Sequence, residues 1–321
     1  MKVGAVYGPV QEDLLLVEAL LDDIKQVDFE PLAKMLQHVL SGGGKRLRPA
    51  LALLSGKFGQ YSTELLVPLA ASIELLHTAT LVHDDVIDSS DTRRGRPTAN
   101  HLYDNAASVM LGDFMFAHAA GLIARTGNIR VIRLFASTLM LMARGELDQD
   151  VSAYDWSKTI REYLDRISGK TASLFATAAE GGAIVAGAPE PTVEALRRYG
   201  YNLGMAFQIV DDILDFVGDE SEMGKPVGSD LMQGTLTLPS LLLMERYPKD
   251  NPVRKYFANR KKESYLHQTI AMVRESDILD RSYAVARDFV DRALAALAPL
   301  SDGTAKQTLE DLAVYVVERR G

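Results

Sequence analysis

The stretch Leu75-Leu76-His77-Thr78-Ala79-Thr80-Leu81-Val82-His83-Asp84-Asp85-Val86-Ile87-Asp88 has a second copy of its acidic ending in Asp211-Asp212-Ile213-Leu214-Asp215, preceded by Met205-Ala206-Phe207-Gln208-Ile209-Val210. In a helix, positions i and i+4 share a face, so Asp84 with Asp88, and Asp211 with Asp215, each aim two carboxylates the same way. Asp85 and Asp212 lie about 100° around the helix. Three like charges in one turn repel, which is costly unless a cation or basic partner sits there. A single such triplet reads equally well as an exposed acidic turn. Two copies, each led by an apolar helix that must be covered on most sides, do not.

Outward from these clusters, apolar residues recur at helical spacing, as in Leu14, Val17, Leu20, Leu21 and Ile24, and sustained strand-like alternation is hard to find. The pattern predicts an all-α chain with helices near 11–25, 30–41, 47–58, 63–90, 103–126, 128–152, 157–168, 170–187, 191–218, 235–247, 261–275, 278–298 and 301–319. Breaks fall at Ser41-Gly42-Gly43-Gly44, Arg94-Gly95-Arg96-Pro97, Gly187-Ala188-Pro189 and the run Gly218 to Gly228. None resembles a domain linker and no short repeat is present, so the expected architecture is one domain over residues 1–321, a bundle of long helices.

With 35 Lys+Arg against 43 Asp+Glu, the chain has a formal charge of −8, which argues against a phosphate-backbone binder; no nucleic-acid partner is expected. The absence of cysteine excludes thiolate metal sites and a cysteine nucleophile. The first residues, Met1 to Leu16, lack the pattern of a secretory signal, and no run of consecutive apolar residues reaches the roughly 18 that span a bilayer. A soluble, cytoplasmic protein is the expectation.

All-carboxylate donors suit hard cations, and Mg²⁺ favours one or two carboxylates completed by water and phosphate oxygens. Cations for phosphate accompany them. Gly42-Gly43-Gly44-Lys45-Arg46-Leu47-Arg48-Pro49 places basic side chains at a helix start, Asp91-Thr92-Arg93-Arg94-Gly95-Arg96 follows the first cluster, and lysines follow breaks at Gly169-Lys170 and Gly224-Lys225. The glycine-rich loop is neither a Walker loop nor a dinucleotide fingerprint, because no strand precedes it. Together these residues describe a site for diphosphate groups bridged by magnesium. Glu74 and His77 form one Glu-x-x-His pair, but a di-iron carboxylate bundle needs a second and none exists. His83, His101 and His118 read as structural.

In this order the motifs Gly43-Gly44-Lys45-Arg46-Leu47-Arg48-Pro49, Asp84 to Asp88 running on to Arg93-Arg94-Gly95, Gly169-Lys170-Thr171, and Phe207-Gln208-Ile209-Val210-Asp211-Asp212 running to Lys225 resemble the trans-isoprenyl diphosphate synthases, or polyprenyl synthetases, over nearly the whole chain. The resemblance implies an all-α, homodimeric enzyme with the two aspartate motifs facing each other across a central cavity. It implies ionisation of an allylic diphosphate, such as farnesyl or geranylgeranyl diphosphate, attack by the double bond of isopentenyl diphosphate, and proton loss, with pyrophosphate as base. It also implies a cluster of about three magnesium ions that neutralises the departing diphosphate. By the same resemblance Asp84, Asp88 and Asp211 are direct metal ligands, and Asp85, Asp212 and Asp215 bind directly or through water. Arg93, Lys170, Thr171, Gln208 and Lys225 serve the allylic diphosphate; Lys45, Arg48, His77 and Arg94 serve isopentenyl diphosphate.

If the aspartates form a tunnel mouth, Ala79 and Thr80 lie one turn below it, where short-chain relatives commonly carry an aromatic block. Two small residues imply a deep pocket, with Ile73, Leu76 and the segment Phe114, Met115, Phe116 and Ala119 further down. Thr235 follows Gly234 where many short-chain relatives have lysine. Both features imply a long-chain all-trans product of about six to ten isoprene units, with transient membrane contact for its release. Two alternatives stand beside it: a geranylgeranyl diphosphate synthase, and a non-catalytic prenyl-diphosphate-binding subunit of a heteromeric synthase.

Overall fold

The computed structural model describes residues 7–93, 95–218, 226–260 and 262–319. Helices follow one another almost without interruption: α1 (Gln11–Asp23), α2 (Glu30–Leu40), α3 (Leu47–Gly56), α4 (Thr63–Ile87), the short α5 (Ala99–Leu102), α6 (Asn105–Ala124), α7 (Ile129–Val151), α8 (Ile160–Ile167), α9 (Ser173–Val185), α10 (Glu190–Val217), the short α11 (Ser229–Met232), α12 (Leu238–Arg246), α13 (Pro252–Ala258), α14 (Glu263–Arg274), α15 (Ile278–Leu297) and α16 (Thr304–Glu318). A five-residue π-helical segment, Ser168–Ala172, joins α8 to α9. The all-α expectation holds. The chain forms two compact units, one from residues 1–138, 174–200 and 296–312, the other from 139–173, 201–295 and 313–321.

The first unit is organised by α4, which packs on α1, α3 and α6. Leu66, Leu69, Ala70, Ile73, Leu75, Leu76 and Ala79 of α4 have no exposed surface, so this helix is apolar nearly all round. Gly112 admits α6 to this contact, because a Cβ there would meet His83 Nε2 at 2.1 Å. Both α4 and α6 have the length and hydropathy of membrane spans, contrary to the expectation from consecutive apolar runs. For α4 burial among its neighbours explains the composition. A two-stranded antiparallel hairpin, β1 (Thr92–Arg93) with β2 (Arg96–Pro97), follows α4, and Thr92 pairs with Pro97. Strand alternation is not detectable over so few residues.

In the second unit, local signals explain the helix starts. A reciprocal capping box opens α8: Thr159 Oγ1 accepts from Glu162 N at 3.2 Å and Glu162 Oε2 accepts from Thr159 N at 2.9 Å. Helix α13 was not anticipated, yet Asn251 accepts from Val253 N at 2.8 Å and Pro252 takes the first helical position, a start signal readable in the sequence. Tyr154, at φ 64°, donates from its hydroxyl to Met232 O at 2.6 Å and lays its ring on Gly234, where a Cβ would meet the ring at 2.6 Å. Gly234 itself has φ 84°, so any side chain there is excluded twice over.

Candidate active site

In the first unit, the end of α4 presents Asp84 and Asp88 half-buried on one face, with Asp88 N donating to Asp84 O at 2.8 Å. Asp85 points elsewhere, as the helical angle requires. It is buried to 6% exposure and accepts from Arg93 Nε at 2.7 Å. Burial raises its pKa and Arg93 opposes the rise. Arg93 is therefore placed by the hairpin against the aspartate cluster. Arg94 lies outside the described residues.

The loop before α3 is shaped by Arg46, which the sequence pattern groups with Lys45 and Arg48 as a cation for phosphate and which the structure turns inward. Arg46 has a left-handed backbone, φ 48° and ψ 32°, and its guanidinium turns inward to Glu18 and to Glu74 Oε1, the latter at 2.6 Å. Tyr7 donates to Lys45 O at 2.6 Å. With Arg46 committed to the interior, its neighbours Lys45 and Arg48 lie half-buried at the start of α3, and the Arg48 guanidinium stands 4.5 Å over the Phe175 ring. Glu74 is buried at 6% exposure, and its Oε1 is engaged by Arg46. His77 is half-buried on α4. His83, His101 and His118 have structural contacts: Val109 O at 3.0 Å, Asp91 Oδ1 at 3.1 Å, and the Phe114 ring at 4.6 Å. Ala79 is fully buried and Thr80 half-buried, its hydroxyl donating to His77 O at 2.7 Å. Met115 and Ala119 are fully buried in α6, and Ala119 O accepts from Ser72 at 2.8 Å.

In the second unit, the π-helical segment carries Lys170 and Thr171; such insertions re-aim side chains and recur at functional sites. Lys170 Nζ pairs with Glu146 and donates to Gln149 Oε1 at 3.4 Å. Thr171 donates to Gln208 Oε1 at 2.7 Å, Gln208 Nε2 donates to Asp212 Oδ1 at 2.8 Å, and Tyr163 donates to Asp212 Oδ2 at 2.7 Å. Asp212 is thus bonded on both oxygens at 3% exposure, and burial with nearby Asp230 pushes its pKa up to about 7. Asp215 has no exposed surface and accepts from Ser229 Oγ at 2.7 Å and Asp230 N at 3.2 Å, which ties the start of α11 to α10. Asp211 keeps 41% of its side chain exposed and pairs through Oδ1 with Arg319 at 2.7 Å. Lys225 lies outside the described residues. Thr235 occupies the turn after Gly234, its N donating to Asp230 O at 2.8 Å.

Tyr163, Glu146 and Arg319 are residues the sequence reading missed. Each acts on a site residue from a distant part of the chain, so no local motif announces them, whereas Arg46 lies inside the glycine-rich motif and only its inward turn was hidden.

Among the described residues, no cluster of three or more His, Asp or Glu side chains is assembled to hold a metal ion. The protein offers instead a pair, Asp84 with Asp88, and a single partly exposed Asp211, all hard oxygen donors. In each unit taken by itself, donors of this kind fit Mg²⁺ completed by phosphate oxygens and water rather than a metal held in an all-protein cage.

Residues 29–273 match the family model described as polyprenyl synthetase. The chain is 41% identical to heptaprenyl diphosphate synthase component 2 of Geobacillus stearothermophilus over 99% of both proteins. It is 35% identical to octaprenyl diphosphate synthase of Escherichia coli, again over 99% of both. A solved polyprenyl synthase of Caulobacter crescentus CB15, complexed with calcium and isoprenyl diphosphate, matches at a TM-score of 0.95 and 35% identity, covering 100% of this chain and 98% of that one.

Proposed function

This chain belongs to the polyprenyl synthetase family, and we propose that it is a trans-prenyltransferase of the long-chain type, condensing isopentenyl diphosphate with farnesyl or geranylgeranyl diphosphate to give an all-trans polyprenyl diphosphate and pyrophosphate. The observation that carries the reading is that each aspartate cluster keeps a partly exposed carboxylate, Asp84 and Asp88 in one and Asp211 in the other, beside a buried middle aspartate held by hydrogen bonds: Asp85 by Arg93, Asp212 by Tyr163 and Gln208. Magnesium fits Asp84, Asp88 and Asp211, and when bound it neutralises the charge that develops on a departing diphosphate. Lys170 and Arg93 contribute positive charge toward the allylic diphosphate; Lys45, Arg48 and His77 serve isopentenyl diphosphate. Arg94 and Lys225 complete these two sets.

The resemblance to heptaprenyl and octaprenyl diphosphate synthases and the small residues Ala79 and Thr80 support a long product. Exposed apolar residues on α6, Val109 and Met110, support self-association.

One observation favours a second reading. The Geobacillus relative is named component 2, so this chain is alternatively one subunit of a two-component synthase.

The purified chain, incubated alone with isopentenyl diphosphate, Mg²⁺ and either allylic primer, tests both. Products longer than geranylgeranyl establish a self-sufficient long-chain synthase. A stop at geranylgeranyl when primed with farnesyl diphosphate favours the shorter-chain alternative. Magnesium-dependent diphosphate binding without turnover points to a missing subunit.

A further inference from the structure

Arg319, just after α16, is 7% exposed. Its guanidinium stands 3.9 Å over the Phe207 ring, and Nη2 donates to Phe207 O at 2.6 Å and forms an ion pair with Asp211 Oδ1 at 2.7 Å. Nε meets no acceptor among the described residues. A guanidinium this deeply placed is costly without a charge partner, and Asp211 is the carboxylate paired with it. The partnership is unequal. Arg319 is enclosed, whereas Asp211 keeps 41% of its side chain exposed and is one of the proposed magnesium ligands.

We propose that Arg319 is a positioning residue that makes cation binding at Asp211 conditional on diphosphate; the inference rests on the prenyl diphosphate reading above. The Asp211–Arg319 pair is neutral as a unit. A bare divalent cation approaching Asp211 gains one carboxylate and meets a guanidinium a few ångströms behind it, so the two charges oppose each other. The one-to-one complex of a divalent cation with pyrophosphate, the species that first reaches Asp211, carries net negative charge and is attracted by the same guanidinium. Holding Oδ1 also restricts the carboxylate to one orientation before the metal arrives, which lowers the cost of ordering it.

The test measures free Mn²⁺, a stand-in for Mg²⁺, by electron paramagnetic resonance, with and without inorganic pyrophosphate, in the wild-type chain, Arg319→Met, Arg319→Lys and Asp211→Asn. Binding lost in Asp211→Asn defines the Asp211-dependent component. In the wild type that component is expected only with pyrophosphate. Arg319→Met is expected to bind Mn²⁺ alone at least roughly tenfold tighter than wild type and to lose most of the pyrophosphate enhancement. Arg319→Lys keeps the charge and is expected to behave as wild type. Identical curves for wild type and Arg319→Met overturn this inference alone. So does equal impairment of Arg319→Met and Arg319→Lys with a lowered Tm, which marks a purely structural role. A wild-type chain showing no Asp211-dependent binding even with pyrophosphate removes Asp211 from the metal site, and both readings of that residue fall together.

Discussion

Tyr163 on α8, seven residues before Lys170, donates a 2.7 Å hydrogen bond to Oδ2 of Asp212 on α10, with both residues buried. Burial and the adjacent carboxylate hold the phenol pKa well above its ordinary value, so it remains a donor throughout the neutral range. The bond ties the helix that leads into the Lys170 segment to the helix that carries Asp211.

Replacing Tyr163 by Phe removes that donor and leaves Asp212 Oδ2 buried and unpaired. The expected loss is about 1–3 kcal/mol of stability, read as a lowered Tm. Turnover is expected to fall while the KM for isopentenyl diphosphate stays near wild type, because Lys45 and Arg48 belong to the other unit. An unchanged Tm and turnover would remove Tyr163 from any positioning role.

The aspartates separate by exposure, and the variants are expected to separate the same way. Asp84→Ala and Asp211→Ala retain the helical circular dichroism signal and lose at least about a hundredfold in turnover. Asp215→Ala, which frees the start of α11 at Ser229 and Asp230, loses about 1–3 kcal/mol of stability as well. Near-normal activity in either Asp84→Ala or Asp211→Ala would sink the magnesium assignment.

Arg46→Met leaves Glu74 buried without its partner, and breaking a buried pair costs on the order of 3 kcal/mol. A chemical denaturation series is the measurement. Glu74→Gln, which retains a hydrogen-bond acceptor, is expected to cost less. In both, the KM for isopentenyl diphosphate rises, since the left-handed turn at Arg46 sets where Lys45 and Arg48 begin α3.

Ala79→Phe is expected to shorten the product, read by sizing the dephosphorylated polyprenols. Ala79 is fully buried, so the larger ring also costs about 1–3 kcal/mol by overpacking. A destabilised variant with unchanged product length would take Ala79 out of the tunnel wall.

The long helices were legible because each buries a wide apolar stripe at helical spacing, and α2, α3 and α15 begin where the sequence pattern places them. The short elements were not. Helix α11, the hairpin after α4 and the π-helical segment each involve too few residues for periodicity to register, and α13 hides its start in the two residues Asn251-Pro252. Within the aspartate clusters, helical geometry alone separates Asp85 from Asp84 and Asp88. It does not separate Asp211 from Asp215, which share a face by spacing, yet one is two-fifths exposed and the other is sealed against Ser229 and Asp230.

Amino-acid order by itself determined the helical class, the repeated carboxylate pattern and the cations that accompany it, because helical periodicity and charge spacing are properties of neighbours along the chain. Which carboxylates meet solvent, and which are spent on Arg93, Tyr163, Ser229 or Arg319, was decided only by tertiary structure. Exposure and hydrogen-bond partners depend on residues as far as 112 positions away, as between Arg319 and Phe207, and burial makes an unmatched charge too costly to leave unpaired.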